Sequence, residues 1–410
     1  MAAVEQVCVI IGASHAGVNL AFSLRREGWQ GSIVLIDSDP YLPYHRPPLS
    51  KAFLTKDDGI EKNMLKPSSS YEKENITLTL GVTVVAVDGE QQQLTLSDGS
   101  KLHFDKLVLA TGARAFIPPI EGLHDANNMF ALRSASDVMG IKSSFKAGAK
   151  RVVVIGGGYI GLETAASLKK MGAQVTVLER EERALARVTS SQMSAFFTQL
   201  HQKHDVDVLT EKDVIKVATS GGVNTIVCAD GSEYIADMII VGVGIRVNTE
   251  LAEQLNLTIE NGIKVNSRCQ TSNPDVYAIG DNSFHFNPIY QRYIRLESVQ
   301  NAVDQAKVAA AAIAGKDVEY DALPWFWSDQ YDVKLQMVGL SQGYNNIVLR
   351  EESEETAKFS TWYFKDDTLL AVDAVNNGKA YVFATKLMKQ KLPVDKVKLA
   401  DSTVDWKALL

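Results

Sequence analysis

The organisation of the chain is clearest in residues 151–180, which read RVVVIGGGYIGLETAASLKKMGAQVTVLER. The β-branched run Val152–Ile155 has the composition of a buried parallel strand. Glycines at G-x-G-x-x-G spacing follow it, and Ile160–Met171 predicts a helix with a glycine just after its end. Val175–Leu178 predicts a second strand. The stretch is therefore predicted to form one complete βαβ unit.

The glycines of this unit suit a turn that binds a dinucleotide. Gly156 permits the tight turn, Gly158 lets the backbone approach a pyrophosphate, and Gly161 lets the helix pack on the strand. The helix N-terminus offers free N–H groups to the phosphates, and Glu179 after the second strand can accept hydrogen bonds from a ribose. We predict a dinucleotide-binding fold, the alternative being a glycine-rich turn in an unrelated α/β protein.

A second copy of the pattern lies near the start of the chain. The pattern predicts a strand at Val7–Ile11, a glycine turn at 12–17 and a helix at 16–27. A second strand is predicted at Ile33–Ile36, and the acid Asp37 follows it. Ser14 replaces the middle glycine, and its Cβ would crowd the phosphate slightly. His15 is open to two interpretations, a cofactor contact or a cap. Two such folds predict two dinucleotides placed end to end, so that a hydride can pass between them.

Length and charge narrow the function. A chain of 410 residues is expected to form two or three domains. The net charge of −7 argues against a nucleic-acid partner. No apolar run reaches the roughly 18 residues needed to span a bilayer, and residues 1–11 are typical of a strand start rather than of a signal peptide. We therefore expect a cytoplasmic protein without a membrane partner.

The cysteines and histidines predict no redox-active thiol pair and no metal site. Cys8, Cys228 and Cys269 are far apart, without a C-x-x-C motif. Cys8 lies in an apolar strand and is expected to be a small core residue. The seven histidines form no H-E-x-x-H motif and no cluster with cysteine.

Seven motifs spread along the chain carry a family resemblance. They are GASHAG at 12–17, RPPLSK at 46–51, LVLATGAR at 107–114, GGGYIGLE at 156–163, TSNPDVYAIGD at 271–281, RLESVQNA at 295–302 and PWFWSDQYD at 324–332. In this combination the chain resembles the FAD-dependent ferredoxin reductases of the putidaredoxin reductase type. That family serves bacterial cytochromes P450 and aromatic-ring dioxygenases.

The resemblance implies an α/β fold with two Rossmann-like dinucleotide-binding domains and a C-terminal α+β domain. The FAD domain would be discontinuous, at residues 1–115 and 246–322, with the NADH domain inserted at 116–245. The C-terminal domain would cover 323–410. Pro118 and Pro119 mark a linker before the second βαβ unit, in agreement with this division.

The resemblance also implies the residues that hold FAD. Cations and helix N-termini favour its doubly charged pyrophosphate, and an acid can accept hydrogen bonds from its sugar hydroxyls. The implied FAD contacts are Gly12, Ala13, Ser14, Gly17, Asp37, Arg46, Lys51, Val84, Ala110, Thr111, Gly112, Arg133, Gly280, Asp281, Glu297, Val299 and Trp327.

NADH is implied to bind at the second fold. Glu179 would favour NADH over NADPH, while nearby arginines, which can also accommodate a 2′-phosphate, would hold the adenosine diphosphate moiety. The implied contacts are Gly156, Gly158, Tyr159, Ile160, Gly161, Glu163, Glu179, Arg180, Arg187 and Gly244, with Arg183 close by.

Lys51 and Glu163 are the implied catalytic residues, and in the family they lie beside the flavin where nicotinamide docks. Lys51 would stabilise the anion formed when hydride arrives, and Glu163 would orient the carboxamide. Taken alone, Glu163 is equally well explained as an exposed acid in the first turn of a helix. Trp325 and Trp327 are open to two compatible interpretations, a buried aromatic cluster or a wall beside the flavin near the ferredoxin dock.

Three functions are compatible with these motifs to different degrees. The first is an NADH-dependent reductase of a [2Fe-2S] ferredoxin that serves a P450 or a ring-hydroxylating oxygenase, with rubredoxin as an alternative acceptor. The second, a disulfide or peroxide reductase, lacks the required cysteine. The third is a redox-responsive signalling flavoprotein on the same fold. Because ferredoxins are acidic, the candidate docking cations are Lys307, Lys334 and Lys379.

Overall fold

The computed structural model describes residues 6–409, so residues 1–5 of the predicted strand start lie outside it, as does the C-terminal residue. The chain forms two compact units. The first contains the chain up to Arg46 together with Asp58–Arg114 and Ile245–Ala322. The second contains Pro47–Asp57 and Ala115–Gly244, together with the chain from Leu323 onward.

The first unit is built on a five-stranded parallel sheet. Its central strand Val7–Ile11 is fully apolar, as expected for a strand covered on both faces. The strand order across the sheet is Val276–Ala278, Lys106–Leu109, Val7–Ile11, Ser32–Asp37 and Ile76–Leu80. The glycine turn directly follows this central strand, so it lies at the carboxyl edge of the sheet, where ligands of such sheets bind.

Two long helices cover one face of this sheet. His15–Arg26 packs on Val299–Ile313, and alanines such as Ala306 and Ala310 are completely buried between them and the strands. Small side chains allow this close packing. The unit also contains the helices Ser68–Lys73 and Glu250–Gln254, the 3₁₀ turn Ile60–Asn63, and the strands Val84–Asp88, Gln93–Leu96, Lys101–His103, Ile245–Val247, Ile263–Val265, Ser283–Asn287 and Arg292–Ile294. The strand Ala113–Ala115 contains the boundary between two stretches of chain, since Arg114 belongs to the first unit and Ala115 to the second.

The second unit repeats the parallel sheet. The strand order is Asp207–Leu209, Gln174–Leu178, Arg151–Ile155, Met238–Val241 and Met129–Phe130. The helix Tyr159–Lys170 follows the central strand, and a three-stranded antiparallel sheet is formed by Val214–Ser220, Val223–Cys228 and Glu233–Ala236. The remaining helices before residue 245 are Ala52–Thr55, Ala135–Lys146 and Ser191–Lys203, with a 3₁₀ turn at Pro47–Ser50.

A five-stranded antiparallel sheet carries the C-terminal part of the second unit. Its strands are ordered Trp325–Gln330, Val333–Gly339, Thr368–Val375, Lys358–Lys365 and Asn346–Ser353. The helices Gly378–Gln390 and Lys396–Ala400 and the 3₁₀ turn Trp406–Leu409 complete it. Asn377 caps the first of these helices by accepting a hydrogen bond from the N–H of Ala380.

The predicted fold class is confirmed: two parallel dinucleotide-binding sheets are followed by an α+β region. The predicted strands are found within one residue, and the helices predicted at 16–27 and Ile160–Met171 are His15–Arg26 and Tyr159–Lys170. The structure places Pro47–Asp57 and the chain from Leu323 in the second unit. The division into FAD, NADH and C-terminal domains stays a prediction.

Candidate functional site

The first glycine turn leaves no room for side chains. Gly12 has a φ of +107°, and a Cβ there would collide with the carbonyl oxygen of Ala110. A Cβ on Gly17 would collide with the carbonyl oxygen of Gly12. The backbone thus folds tightly over the end of the central strand, in the cradle that a pyrophosphate needs.

Asp37 is tied directly to this turn. Its Oδ2 accepts a hydrogen bond from the N–H of Ala13 at 2.5 Å, so the carboxylate lies beside the turn at the carboxyl edge of the sheet. Ser14 precedes the helix His15–Arg26, and its Oγ lies 3.4 Å from Nε of Arg46. Arg46 therefore places a cation beside the turn, where it would stabilise a bound anionic cofactor.

The other predicted FAD residues of the first unit lie near the same edge. Gly280 has a φ of +83°, and a Cβ there would lie 3.2 Å from the Cβ of Ala16 in the glycine turn. Asn282 donates to Oγ1 of Thr111 at 3.0 Å, while its buried Oδ1 has no hydrogen-bond partner among residues 6–409. An orphaned buried amide oxygen beside this cradle fits a hydroxyl-rich cofactor chain. The donor set of this unit thus fits FAD.

The remaining predicted contacts of the first unit have these positions. Gly112 has a φ of +58°, and Ala110 donates its N–H to Ile11 at 2.8 Å. Val84 is buried at the start of its strand, and Val299 begins the long helix. Asp281 accepts a hydrogen bond from Arg295 through its carbonyl oxygen, and Glu297 pairs with the same arginine at 2.8 Å.

Three residues predicted to contact FAD belong to the second unit: Lys51, Arg133 and Trp327. Arg133 donates its backbone N–H to Asp137 at 3.0 Å, just before a helix. Trp327 lies 5.5 Å from Trp325, centroid to centroid. Their part in holding FAD stays a prediction.

The second glycine turn has the same geometry as the first. Gly156 also has a φ of +107°, and a Cβ there would lie 2.5 Å from the carbonyl oxygen of Gly242. A Cβ on Gly161 would collide with the carbonyl oxygen of Gly156. By contrast, Cβ atoms built at Gly158 and Gly244 would have no described atom within 4 Å. The turn is therefore tight on its inner side and open where a pyrophosphate would approach.

Glu179 repeats the contact made by the acid of the first fold. Its Oε2 accepts from the N–H of Gly157 at 2.6 Å, and its Oε1 accepts from the N–H of Glu181 at 2.9 Å. Arg180 and Arg187 both pair with Oε1 of Glu181, at 3.1 and 3.3 Å. Arg183 instead binds Ser194 and the carbonyl of Ala186. The two exposed arginines can move to a ligand, whereas Arg183 holds its own loop.

In the second unit the partly exposed Lys51 forms an ion pair with the buried Glu163. Nζ of Lys51 lies 2.5 Å from Oε2 of Glu163, which is only 5% exposed. Oγ of Ser50 donates to the same oxygen at 2.7 Å, and Oγ of Ser328 donates to Oε1 at 2.7 Å. The alternative interpretation of Glu163 as an exposed helix acid does not fit this burial. Both carboxylate oxygens are held by donors, which makes the group well oriented.

Tyr159 and Ile160 lie at the start of the same helix. The hydroxyl of Tyr159 contacts Sδ of Met337 at 3.2 Å. Burial, followed by the charge of Asp373, raises the pKa of Tyr159 well above its usual value. Ile160 is 47% exposed, and its part in binding NADH stays a prediction.

Ser50 and Ser328 were not predicted as partners of Glu163. Each lies inside a quoted motif, RPPLSK and PWFWSDQYD, directly beside a residue that was singled out. Sequence position alone offered no further signal, since the two serines are 113 and 165 residues from Glu163.

The thiols are unsuited to nucleophilic chemistry. Cys8, Cys228 and Cys269 are free and buried. Burial raises the pKa of Cys8 to about 12 and raises the pKa of the other two as well. A thiol that stays protonated is a poor nucleophile.

Residues 6–409 hold no group of three or more His, Cys, Asp or Glu side chains placed to bind a metal ion. No helix in this range is both long and apolar enough to cross a bilayer.

Two dinucleotide-binding folds and a Lys–Glu ion pair form the arrangement expected of an oxidoreductase that uses two dinucleotides. Residues 6–306 match the family described as pyridine nucleotide-disulphide oxidoreductase, and residues 325–410 match the family described as reductase C-terminal. The chain belongs to the pyridine nucleotide-disulphide oxidoreductase family, among reductases of the putidaredoxin reductase type. FAD and NAD(H) are the cofactors of this family.

Full-length relatives agree with this assignment. The chain is 40% identical over 407 residues to putidaredoxin reductase CamA of Pseudomonas putida, covering 98% of this chain and 96% of that protein. It is 39% identical over 400 residues to rhodocoxin reductase of Rhodococcus erythropolis, covering 97% and 93%. Its structure matches that of the covalent putidaredoxin reductase–putidaredoxin complex with a TM-score of 0.93 and 40% identity, covering 98% of both chains. The predicted resemblance is confirmed.

Proposed function

We propose that the protein oxidises NADH and reduces a [2Fe-2S] ferredoxin that serves a cytochrome P450 or a ring-hydroxylating oxygenase. The observation that carries the proposal is the ion pair of Lys51 with the buried Glu163, an acid near the start of the helix that follows the second glycine turn. Similarity along the full length to putidaredoxin reductase, a protein also solved in complex with putidaredoxin, supports the choice of acceptor.

FAD, when bound, supplies the coupling chemistry, because a flavin accepts two electrons together and releases them singly. The first glycine turn, Asp37 and Arg46 would hold it, since together they offer backbone N–H groups, an acceptor for sugar hydroxyls and a cation. The buried thiols leave the protein without the cysteine that a disulfide reductase requires.

The second fold would bind NADH. The open side of Gly158 would receive the pyrophosphate, and Glu179 would receive the ribose hydroxyls. Glu163 and Lys51 would act on the nicotinamide end. The fixed carboxylate would accept a hydrogen bond from the carboxamide, and the ammonium would favour the negative charge that develops on the acceptor as it receives hydride from the coenzyme.

The proposal includes the three predicted domains and a cytoplasmic location. Three free thiols are compatible with a reducing compartment. Trp325 and Trp327 lie side by side on the first strand of the C-terminal sheet, and the aromatic-wall role proposed for them rests on the family resemblance.

A stopped-flow experiment tests the function. NADH should bleach the flavin absorbance of the purified protein rapidly, and cytochrome c reduction should become fast only after ferredoxin is added. Glu163→Gln and Lys51→Gln should each slow the bleaching step by at least tenfold, about 1.4 kcal/mol or more. Lys56→Gln, which changes an exposed residue of the same segment, should leave it unchanged.

The outcomes separate the alternatives. Fast turnover with rubredoxin and slow turnover with every ferredoxin tried would replace the proposed acceptor by rubredoxin. Slow bleaching by NADH, together with a long-lived reduced state and no acceptor preference, would favour the redox-responsive signalling flavoprotein.

A further inference from the structure

A line of buried polar side chains continues beyond Glu163. Oγ of Ser328, which donates to Glu163, accepts from Nε2 of Gln330 at 3.3 Å. Oε1 of Gln330 lies 2.9 Å from Nε2 of His201, and Nδ1 of His201 lies 3.1 Å from the hydroxyl of Tyr331. The line therefore connects the helix Ser191–Lys203 and the C-terminal sheet to the carboxylate of Glu163.

Chemistry fixes the direction of every hydrogen bond in this line. A carboxylate only accepts, so Ser328 donates to Glu163 and must itself accept from the amide of Gln330. The amide oxygen of Gln330 only accepts, so Nε2 of His201 carries the proton. Nδ1 of a neutral imidazole then accepts from Tyr331. All four donors point toward Glu163.

Burial makes this array rigid. Ser328 and Gln330 are each 1% exposed, and His201 is fully buried. Removing any one partner would leave a buried polar atom unsatisfied, at a cost of about 1–3 kcal/mol. Burial also lowers the pKa of His201 to about 4, so the ring is neutral at physiological pH, as the assigned tautomer requires.

The strand Trp325–Gln330 carries two members of this array, Ser328 and Gln330, on one face. Side chains alternate along a strand, so Ser328 and Gln330 share one face while Trp325 and Trp327 share the other. The two indoles contact each other at 5.5 Å on their own face. The face that carries Ser328 is buried at residues 328 and 330. Polar side chains at buried positions are costly unless they are hydrogen-bonded, and both of these residues are.

We propose that Ser328 is a positioning residue for Glu163, held in its donor role by Gln330 and His201. With Ser50 and Lys51 on Oε2 and Ser328 on Oε1, the plane of the carboxylate is fixed, and so is the ammonium bonded to it. Loss of the Ser328 hydroxyl frees Oε1 and lets the carboxylate rotate about its terminal bond. This inference rests on the proposed role of Glu163 in the reaction with NADH.

Ser328→Ala tests the proposal in the FAD-loaded protein. The limiting rate of NADH-dependent bleaching should fall about tenfold, or 1.4 kcal/mol, because one charge-assisted hydrogen bond to the carboxylate is lost. The NADH concentration at half-maximal rate should change much less, since the dinucleotide turn is untouched. Ser328→Thr keeps the donor and should restore most of the rate. The matched control is Ser360→Ala, another fully buried serine of the same sheet, whose Oγ accepts from Trp362.

Two comparisons make the result decisive. In a Glu163→Gln background, Ser328→Ala should cause little further loss if both residues act as a unit. If Glu163→Gln is slow but Ser328→Ala matches Ser360→Ala, the positioning role is wrong while the proposed function stands. If Glu163→Gln itself leaves the rate unchanged, the proposed role of Glu163 fails and the inference fails with it.

A measurement that does not depend on turnover tests the array directly. In ¹⁵N NMR spectra, His201 should show a protonated Nε2 and an unprotonated Nδ1 that do not change between about pH 6 and 8. Gln330→Leu removes the acceptor, so this tautomer preference should be lost. The opposite tautomer in the unsubstituted protein would overturn the proposed donor direction.

Discussion

Oε2 of Glu179 accepts a hydrogen bond from the N–H of Gly157 at 2.6 Å, which fixes this acid against the second glycine turn. Asp37 makes the equivalent bond to Ala13 at 2.5 Å in the first fold. The carboxylate of Glu179 therefore cannot swing away easily from the place where an adenosine ribose would lie. A fixed negative charge at that place opposes a 2′-phosphate and leaves the ribose hydroxyls as the suitable ligand.

The first prediction concerns the choice of coenzyme. The protein should prefer NADH over NADPH by at least tenfold in kcat/KM, or roughly 1.4 kcal/mol. Glu179→Ala should reduce this preference mainly by improving NADPH binding, because the repulsion is removed. Steady-state kinetics with both coenzymes measure the effect.

Glu181 provides the control for this prediction. It neutralises Arg180 and Arg187, so Glu181→Ala frees two arginines that can bind a 2′-phosphate. NADPH use should improve in this variant, but less than in Glu179→Ala. Equal use of both coenzymes by the unsubstituted protein would show that the arginines outweigh Glu179.

The second prediction is that activity does not depend on cysteine. Replacing Cys8, Cys228 and Cys269 by Ser or Ala should leave NADH-to-ferricyanide turnover nearly intact, because all three thiols are buried and protonated. The Cys8 change should cost stability, since this side chain is completely buried in the central strand. A folded, FAD-loaded triple variant without flavin reduction would contradict the prediction.

The third prediction concerns docking of an acidic ferredoxin. The ferredoxin-dependent rate should fall as salt rises from low to physiological concentration, because screened charges steer less well. Lys379→Gln and Lys334→Gln should weaken the low-salt rate more than Lys307→Gln, whose ammonium already pairs with Asp304 at 3.0 Å. A rate that does not respond to ionic strength would contradict the idea of cationic docking.

Local features of the fold were predictable from the sequence, and partners distant in sequence were not. The turns at Gly12 and Gly156 depend on residues within one βαβ unit, so spacing was sufficient to find them. The cluster around Glu163 combines Ser50, Ser328 and Gln330, which only the tertiary fold brings together. Burial of Glu163 was equally invisible, because an acid in the first turn of a helix is usually exposed.

The last prediction concerns a buried acid that the sequence did not single out. Asp373 lies in the strand Thr368–Val375 and is 5% exposed. Its Oδ2 accepts from Thr189 at 2.7 Å and from Tyr363 at 2.6 Å. Burial outweighs these two hydrogen bonds and raises the pKa of Asp373 from its ordinary 3.8 to about 6.

The sign of the effect on stability follows from this shift. Between pH 3.8 and about 6 the carboxyl group of Asp373 keeps its proton in the native protein, whereas it has lost the proton in the unfolded chain. The contribution of Asp373 to the free energy of unfolding is therefore fully present below the unfolded pKa and is lost as pH rises through the native pKa. The loss amounts to about 3 kcal/mol, from roughly two pKa units at 1.36 kcal/mol each.

Asp373→Asn isolates this term, because the amide keeps an acceptor oxygen for Thr189 and Tyr363 and carries no charge. From pH 4 to 7, the thermal midpoint of the unsubstituted protein should fall relative to that of Asp373→Asn. Glu355→Gln, which changes an exposed acid near the same sheet, should show no such difference. Thermal unfolding of the three proteins across this pH range measures the effect. Parallel curves for the unsubstituted protein and Asp373→Asn would mean that Asp373 is already ionised in the native protein at pH 4.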